Sequence, residues 1–277
     1  MSVSTGTASS SGAAICTTMS ELLDLEVLDR GLFRGLNERR AVGLPRLFGG
    51  QIAAQALRAA GLTVGTDRRA HSLHGYFLRS GSAERPVIFR VHRDRDGRSF
   101  SARRVEALQD GEVIFSASTS FHVAEPSGEF ARAVPGDAPQ PADLEGPVPD
   151  WLNTTLCTVR VVRQPLDGRT DPSRLWATVN EPLDDDPLTH HCALTYMSDF
   201  GTGFSLIDVD GLARGGPSID HSLWFHQPIR ADEWAQLDLW PEKARSALGV
   251  YMGTVADGAG RLGAMLAQET LLRTAGP

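Results

Sequence analysis

Two stretches of the sequence repeat one pattern, HSLHGYFLR at residues 71–79 and HSLWFHQPIR at residues 221–230. Each starts with His-Ser-Leu, continues with aromatic residues and ends in arginine. About 150 residues separate the two starts, which is the size of a small domain. The pattern therefore predicts that the chain is a duplicated unit.

The neighbouring segments repeat in the same order. Before the first copy, FGGQIAAQALRAAG at residues 48–61 predicts a helix whose small residues let other backbone approach closely. Before the second copy, a helix is predicted over residues 187–204. After each copy come β-rich runs with Asp-Gly turns, at Asp96, Asp110 and Asp257. Each half is therefore predicted to contain one helix followed by an antiparallel sheet.

A proline-rich segment joins the two predicted units. Residues 124–150 hold six of the 16 prolines and almost no strand-forming residues, which is typical of a semi-extended linker. Residues 1–20 begin with small and polar residues and are predicted to be disordered. The sequence thus predicts an N-terminal unit over residues 21–123 and a C-terminal unit over residues 151–277.

Composition and charge exclude several classes of function. The chain has 277 residues, 41% of them hydrophobic, and its net charge of −7 disfavours binding to nucleic-acid phosphates. No apolar run is long enough to span a bilayer, and no cationic leader precedes Arg30. The three scattered cysteines, Cys16, Cys157 and Cys192, fit a reducing compartment. We therefore expect a cytoplasmic protein that binds neither nucleic acid nor membranes.

The two halves differ at polar positions. When they are aligned through the His-Ser-Leu motifs and the predicted helices, Asp199 matches Leu47 and Gln268 matches Thr119. The first half therefore cannot hold a second copy of this polar pair.

Five motifs together resemble the acyl-CoA thioesterase II family. They are FGGQIAAQALRAAG, HSLHGYFLR, DGRSFSARRVEALQDGEVIF, DPLTHHCALTYMSDF and SIDHSLWFH, and the resemblance runs over residues 21–273. It implies an α+β double hotdog fold, in which two tandem repeats each wrap an antiparallel sheet around a central helix. It also implies hydrolysis of acyl-CoA to free fatty acid and CoA, without a metal or redox cofactor.

The same resemblance implies a trio of water-holding residues, which are Asp199, Ser218 and Gln268. A thioester carbonyl is already electrophilic, so hydrolysis requires mainly that a water be oriented and partly deprotonated beside it. Asp199 would accept the proton, while Ser218 and Gln268 would fix the other hydrogen bonds of the water. Donors to the oxyanion are expected among backbone amides near the second helix.

Histidines and arginines supply further candidates. His71 and Arg104 are candidate substrate-binding residues, and Arg103 and Arg230 are alternative contacts for the CoA phosphates. His71 also invites a catalytic interpretation, because histidine titrates near neutral pH. Its recurrence as His221 favours a structural role, in which both rings bond backbone near strand ends.

Other functions remain open from the residues alone. Hotdog hydratases use Asp and His five residues apart, a spacing present in Asp185–His190 and Asp186–His191. A hotdog protein could also bind acyl-CoA as a sensor without turnover. Metal binding at DDDPLTHH is disfavoured because the spacing of metalloenzyme motifs is missing, and no Gly-x-Ser-x-Gly supports a nucleophilic serine.

Each repeat is expected to leave sheet edges that are open to pairing. Pairing between protomers would cover such edges, so we expect a homodimer or a larger homo-oligomer.

Overall fold

The computed structural model describes residues 15–38, 46–131, 138–162, 172–205, 213 and 215–273. This part of the chain contains three α-helices, which are α1 (Met19–Leu23), α2 (Gly49–Gly61) and α3 (Pro187–Met197). None of the three has the length and apolar character that a membrane crossing requires.

Fourteen strands accompany these helices in the described residues. The first half contributes β1 (Ile15–Cys16), β2 (Glu26–Asp29), β3 (Leu32–Gly35), β4 (Asn37–Glu38), β5 (Arg68–Phe77), β6 (Val87–Asp96), β7 (Phe100–Gln109) and β8 (Glu112–Val123). The second half contributes β9 (Cys157–Val161), β10 (Ser173–Val179), β11 (Asp220–Phe225), β12 (Ala235–Arg245), β13 (Leu248–Asp257) and β14 (Leu262–Leu271).

Twelve of the strands form one continuous antiparallel sheet. Their order is β2-β3-β6-β7-β8-β5-β11-β14-β13-β12-β10-β9. Strands β5 and β11, which carry the two His-Ser-Leu motifs, pair at the centre with Leu73 opposite Leu223. The repeats thus meet edge to edge through the same strand of each. This is the predicted α+β double hotdog, with its two sheets joined into one.

Helices α2 and α3 pack against each other and against one face of the sheet, which we call the inner face. An added Cβ at Gly50 would lie 2.4 Å from the Tyr196 backbone oxygen, and one at Gly61 would lie 2.4 Å from Leu188. Ala53 of α2 is fully buried. Larger residues would hold the helices apart, so the predicted close approach of backbone to this helix occurs between α2 and α3.

The helix bounds correct the alignment of the two halves. Helix α3 ends at Met197 rather than near residue 204, so Asp199 follows the end of its helix. Leu47 instead precedes α2. The residue that follows α2 at the position where Asp199 follows α3 is Thr63. The match of Asp199 with Leu47 is therefore wrong, because the loops around the two helices differ in length.

The strand register corrects the second match. Leu73 pairs with Thr119 in the first repeat, whereas its counterpart Leu223 pairs with Leu266 in the second. Thr119 therefore corresponds to Leu266 and not to Gln268. A small difference in loop length between strands is enough to move such a match by two residues along a strand.

The chain before the first repeat is partly structured. Residues 1–14, which belong to the segment predicted to be disordered, lie outside the described residues. The prediction is wrong for residues 15–20, because Thr18 forms a capping box with Glu21 at the start of α1 and Met19 is fully buried. A satisfied N-cap and a buried apolar residue stabilise even this short helix.

Part of the proline-rich segment packs on the second half. Ala138 is buried against Trp176, and Trp176 Nε1 donates a hydrogen bond to the Pro139 carbonyl at 3.0 Å. The boundaries drawn at residue 123 and residue 151 stay predictions.

Candidate active site

A cavity of about 900 Å³ lies where the N-terminal end of α2 meets the segment that follows α3. Segments from both repeats line it. The apolar part of the wall includes Leu47, Phe48, Ile52, Phe77, Phe200 and Tyr251. The polar part includes Asp199, Ser218 and Gln268. A largely apolar cleft with a few convergent polar groups is the usual form of a small-molecule site.

Asp199 binds the N-terminus of the helix from the other repeat. Its Oδ2 accepts a hydrogen bond from the Gly50 N–H at 2.9 Å, in the first turn of α2. The N-cap residue of α2 is Phe48, which offers no side-chain cap. The first N–H groups of a helix have no partner within it and carry partial positive charge. The Asp199 carboxylate therefore caps α2 across the two halves.

Ser218 reaches Asp199 because the chain before β11 runs close against β14. Ser218 forms an isolated bridge with Thr270, and an added Cβ at Gly216 would lie 1.7 Å from the Leu271 carbonyl oxygen. Only glycine permits this approach, which explains Gly216 in the Gly-Gly-Pro sequence before Ser218. The Ser218 hydroxyl donates to Asp199 Oδ1 at 3.3 Å.

Gln268 completes the group from β14. Its side chain is almost fully buried, and its Nε2 donates to Asp199 Oδ1 at 3.2 Å and also to Ser218 Oγ. A primary amide has two N–H donors, so both bonds can form together. The structure thus brings all three predicted side chains into mutual contact, with the carboxylate accepting from the other two.

Models of two domain families match the chain in sequence. The acyl-CoA thioesterase N-terminal domain matches residues 37–122, and the acyl-CoA thioesterase C-terminal domain matches residues 131–272. The chain belongs to the acyl-CoA thioesterase family. Members of this family are therefore the proteins with which its site is best compared.

Individual relatives of the acyl-CoA thioesterase family agree along most of the chain. Human acyl-coenzyme A thioesterase 8 is 33% identical over 284 residues, covering 92% of this chain and 88% of that protein. The acyl-CoA thioesterase II TesB2 from Mycobacterium marinum is 38% identical with a TM-score of 0.80, covering 93% of this chain and 99% of that chain. A conserved protein with a hot dog fold from Alicyclobacillus acidocaldarius has 21% identity and a TM-score of 0.76, covering 93% and 98%. The predicted hotdog fold is confirmed.

In this member of the acyl-CoA thioesterase family, His221 lies behind the cavity wall. The ring is fully buried, with Nε2 2.8 Å from Ser198 Oγ and Nδ1 in contact with Gln268 Oε1. The prediction that this ring bonds backbone is wrong, because both of its nitrogens meet side chains.

His71 faces the opposite, outer face of the sheet. A register shift beside it in β5 turns its ring outward, where Nε2 lies 2.8 Å from Ser120 Oγ. Burial is the main cause that lowers the pKa of His71, and repulsion from His122 adds to it. The two histidines of the repeated His-Ser-Leu motif therefore lie in different surroundings. The predicted backbone partner of His71 is also wrong, because its ring bonds the side chain of Ser120.

Arg104 lies on the same outer face as His71. It forms ion pairs with Asp94 at 3.7 Å and Glu106 at 3.5 Å. Neither His71 nor Arg104 is among the described residues that line the cavity. Substrate binding by these two residues stays a prediction.

The other two arginine candidates support the fold. Arg103 is only 1% exposed, and its Nε donates to Thr63 Oγ1 at 2.8 Å. Arg230 pairs with Asp232 at 2.8 Å and with Asp185 at 2.7 Å. The cavity wall contains two different arginines, Arg46 and Arg79.

The Asp–His pairs that match the hydratase spacing lie at the end of α3 away from the cavity. Asp186 caps α3 by accepting the Leu188 N–H at 3.0 Å, and Asp185 pairs with Arg230. His190 Nδ1 accepts the Ala231 N–H at 3.1 Å. Within the described residues, no set of three or more His, Cys, Asp or Glu side chains is grouped to hold a metal ion.

Sequence reasoning missed two contributors to the site. The Gly-Gly pair at the start of the predicted helix could have signalled the Gly50 contact with Asp199. No local pattern marks Tyr251, which is fully buried and whose hydroxyl lies 3.4 Å from the Gly201 carbonyl. Burial, and then the charges of Asp199 and Asp220, raises the pKa of Tyr251 well above its ordinary value, so the phenol stays neutral.

Proposed function

We propose that this protein hydrolyses acyl-CoA thioesters to free fatty acid and CoA, using a water held by Asp199, Ser218 and Gln268. The observation that carries the proposal is the convergence of these three side chains on the wall of a largely apolar cavity. Membership in the acyl-CoA thioesterase family supports the substrate class.

Asp199 is the proton acceptor in this scheme. Its carboxylate already accepts from Gly50, Ser218 and Gln268, and two carboxylate oxygens offer about four lone-pair sites, which leaves room for one water. The water oxygen bonds to the thioester carbon as its proton passes to Asp199. The C–S bond of the resulting tetrahedral oxyanion then breaks, and the CoA thiolate takes up the proton.

The oxyanion donors are assigned to α2 rather than to the second helix. Helix α3 turns its C-terminal end towards Asp199, and the main-chain groups that point out of a helix C-terminus are carbonyls, which cannot donate to an oxyanion. Gly49 opens α2 and lines the cavity beside Asp199. Its N–H belongs to a first turn whose partial positive charge would stabilise a developing oxyanion.

A thiol-release assay over acyl-CoA substrates from short to long chains tests the proposal. The Asp199→Asn protein keeps an oxygen for the Gly50 N–H but loses the base, so kcat should fall by about 10²–10⁴-fold. Its unfolding temperature serves as the control and should stay close to that of the wild type.

Three outcomes would contradict the proposal. Wild-type turnover in the Asp199→Asn protein would remove Asp199 from the mechanism. Loss of enoyl absorbance without thiol release would indicate hydration instead. Tight binding of acyl-CoA without turnover would indicate a sensor.

We also propose that the protein forms a homodimer or larger homo-oligomer in the cytoplasm. Trp224 and the alternate β13 residues Leu248, Val250 and Met252 are 37–39% exposed, and large exposed apolar side chains near one another favour association. All three cysteines are free and buried, which suits a reducing compartment. Light scattering on the purified chain would contradict the assembly if it gave the mass of a monomer.

A further inference from the structure

His221 connects the end of α3 to the strand that carries Gln268. Its Nε2 lies 2.8 Å from Oγ of Ser198, the residue before Asp199, and its Nδ1 contacts Oε1 of Gln268. The imidazole is fully buried and does not line the cavity among the described residues. The ring therefore links the segment of Asp199 to the side chain of Gln268 from behind the site.

The Gln268 amide can be placed in two ways that exchange its oxygen and nitrogen. With Nε2 towards the cavity, donors face Asp199 Oδ1 at 3.2 Å and Ser218 Oγ. With the amide reversed, Oε1 would face the carboxylate, and two acceptors at that distance repel each other. The charge of Asp199 therefore favours the placement in which Oε1 points to His221.

That placement of the amide requires a proton on Nδ1 of His221. The Gln268 Oε1 atom can only accept, so Nδ1 must donate to it. On the other side of the ring, Nε2 lies 2.8 Å from Ser198 Oγ, whose hydroxyl donates to the Thr195 carbonyl at 2.8 Å.

We propose that His221 is a positioning residue, whose Nδ1–H holds the Gln268 amide so that its N–H donors face Asp199 and Ser218. The inference rests on the proposed function of that trio. A reversed amide would offer the site an acceptor in place of a donor, and both Asp199 and the attacking water would lose their orientation. Turnover therefore depends on a proton of a side chain that does not touch the substrate.

Packing alone does not explain a histidine at this position. A leucine or phenylalanine could fill the volume, but it would leave Gln268 Oε1 and the Ser198 hydroxyl without this partner in a buried setting. The first repeat shows that the strand pattern does not require a buried histidine, because His71 turns to the outer face.

Two amide variants separate the roles of the two ring nitrogens. In His221→Asn the side-chain N–H₂ group can occupy the place of Nδ1 and still donate to Gln268. In His221→Gln the longer side chain reaches the place of Nε2 beside Ser198 and leaves Gln268 Oε1 without its donor. We expect His221→Gln to lower kcat for acyl-CoA by about 100-fold with little change in KM, and His221→Asn to keep kcat within about tenfold of the wild type.

The tautomer is measured independently of turnover. ¹⁵N-labelled histidine in the full chain should show His221 with a proton on Nδ1, its signal being assigned by its absence from the His221→Asn protein. A proton on Nε2 with a bare Nδ1 would overturn the proposal. So would equal losses of kcat in the two variants at equal unfolding temperature.

Failure of the proposed function has a different signature. It would appear as no thiol release by the wild type, or as wild-type kcat in the Asp199→Asn protein. The ring tautomer and the order of the two His221 variants test the positioning role alone.

Discussion

Asp199 and Gly50 belong to different repeats, and the carboxylate of one accepts the N–H of the other at 2.9 Å. The contact ties the helix of the first half to the water-holding residues of the second. Because β5 and β11 also pair across the centre of the sheet, the cavity is shared by the two halves. A single half would therefore present either the helix end or the polar trio, but not both.

Gly49→Ala should reduce activity more than stability. The added Cβ would lie 2.7 Å from Asp199 Oδ2 and 3.0 Å from the Phe77 ring. Both neighbours are side-chain atoms that can move, and alanine favours helix over glycine by up to about 1 kcal/mol, which offsets the strain. We expect an unfolding free energy within about 1 kcal/mol of the wild type and a clear fall in kcat, measured by urea denaturation and thiol release. Unchanged kcat would show that the carboxylate tolerates displacement.

Gly50→Ala should reduce stability directly. Here the added Cβ would lie 2.4 Å from the backbone oxygen of Tyr196, which cannot rotate away. Forcing the two helices apart should cost about 1–3 kcal/mol of unfolding free energy. Gly128→Ala is the matched control, because an added Cβ there meets nothing within 4 Å. Equal unfolding free energies for the two variants would show that α2 and α3 can separate without cost.

The duplication could be predicted because the repeated His-Ser-Leu motif lies on β5 and β11, the two strands that pair with each other. The trio could be assigned only through family resemblance, since Asp199, Ser218 and Gln268 lie on separate segments that packing brings together. Sequence could not show which helix end faces the cavity, because that depends on how α2 and α3 cross. The sequence also could not show that His71 and His221 face opposite sides of the sheet. A one-residue register shift turns the His71 ring outward, and nothing in the motif indicates that shift.

Stability should fall as the pH drops from about 6.5 towards 4, in part through His191. The ring is 4% exposed and stacks on Phe225, and burial, with the positive charge of Arg69 second, lowers its pKa from 6.5 to about 4. Between pH 4 and pH 6.5, His191 binds a proton in the unfolded chain but not in the folded chain. The contribution of the neutral ring to the unfolding free energy is therefore complete above pH 6.5 and is lost as the pH falls towards 4. The loss is about 3 kcal/mol at most.

His191→Gln removes that titration and should flatten the dependence of unfolding free energy on pH, measured by urea denaturation at pH 7, 6, 5 and 4.5. Burial also lowers the pKa of other histidines, which are His71, His74 and His226. The slope should therefore shrink rather than vanish. An identical slope in wild type and variant would rule out a contribution from His191.

Adjacent arginines on β7 should respond very differently to truncation. Arg103 points to the inner face, where it is 1% exposed and donates to Thr63 and, at 2.6 Å, to Asp96. Arg103→Ala would leave buried hydrogen-bond acceptors without their donor and would create a cavity, which should lower the unfolding free energy by about 2–4 kcal/mol. Arg104→Ala, on the outer face, should change the unfolding free energy by no more than about 0.5 kcal/mol. The Arg104→Ala protein also tests the predicted contact of Arg104 with CoA, because loss of that contact would raise the KM for acyl-CoA. Equal unfolding free energies of the two variants would contradict the assignment of the two side chains to opposite faces of the sheet.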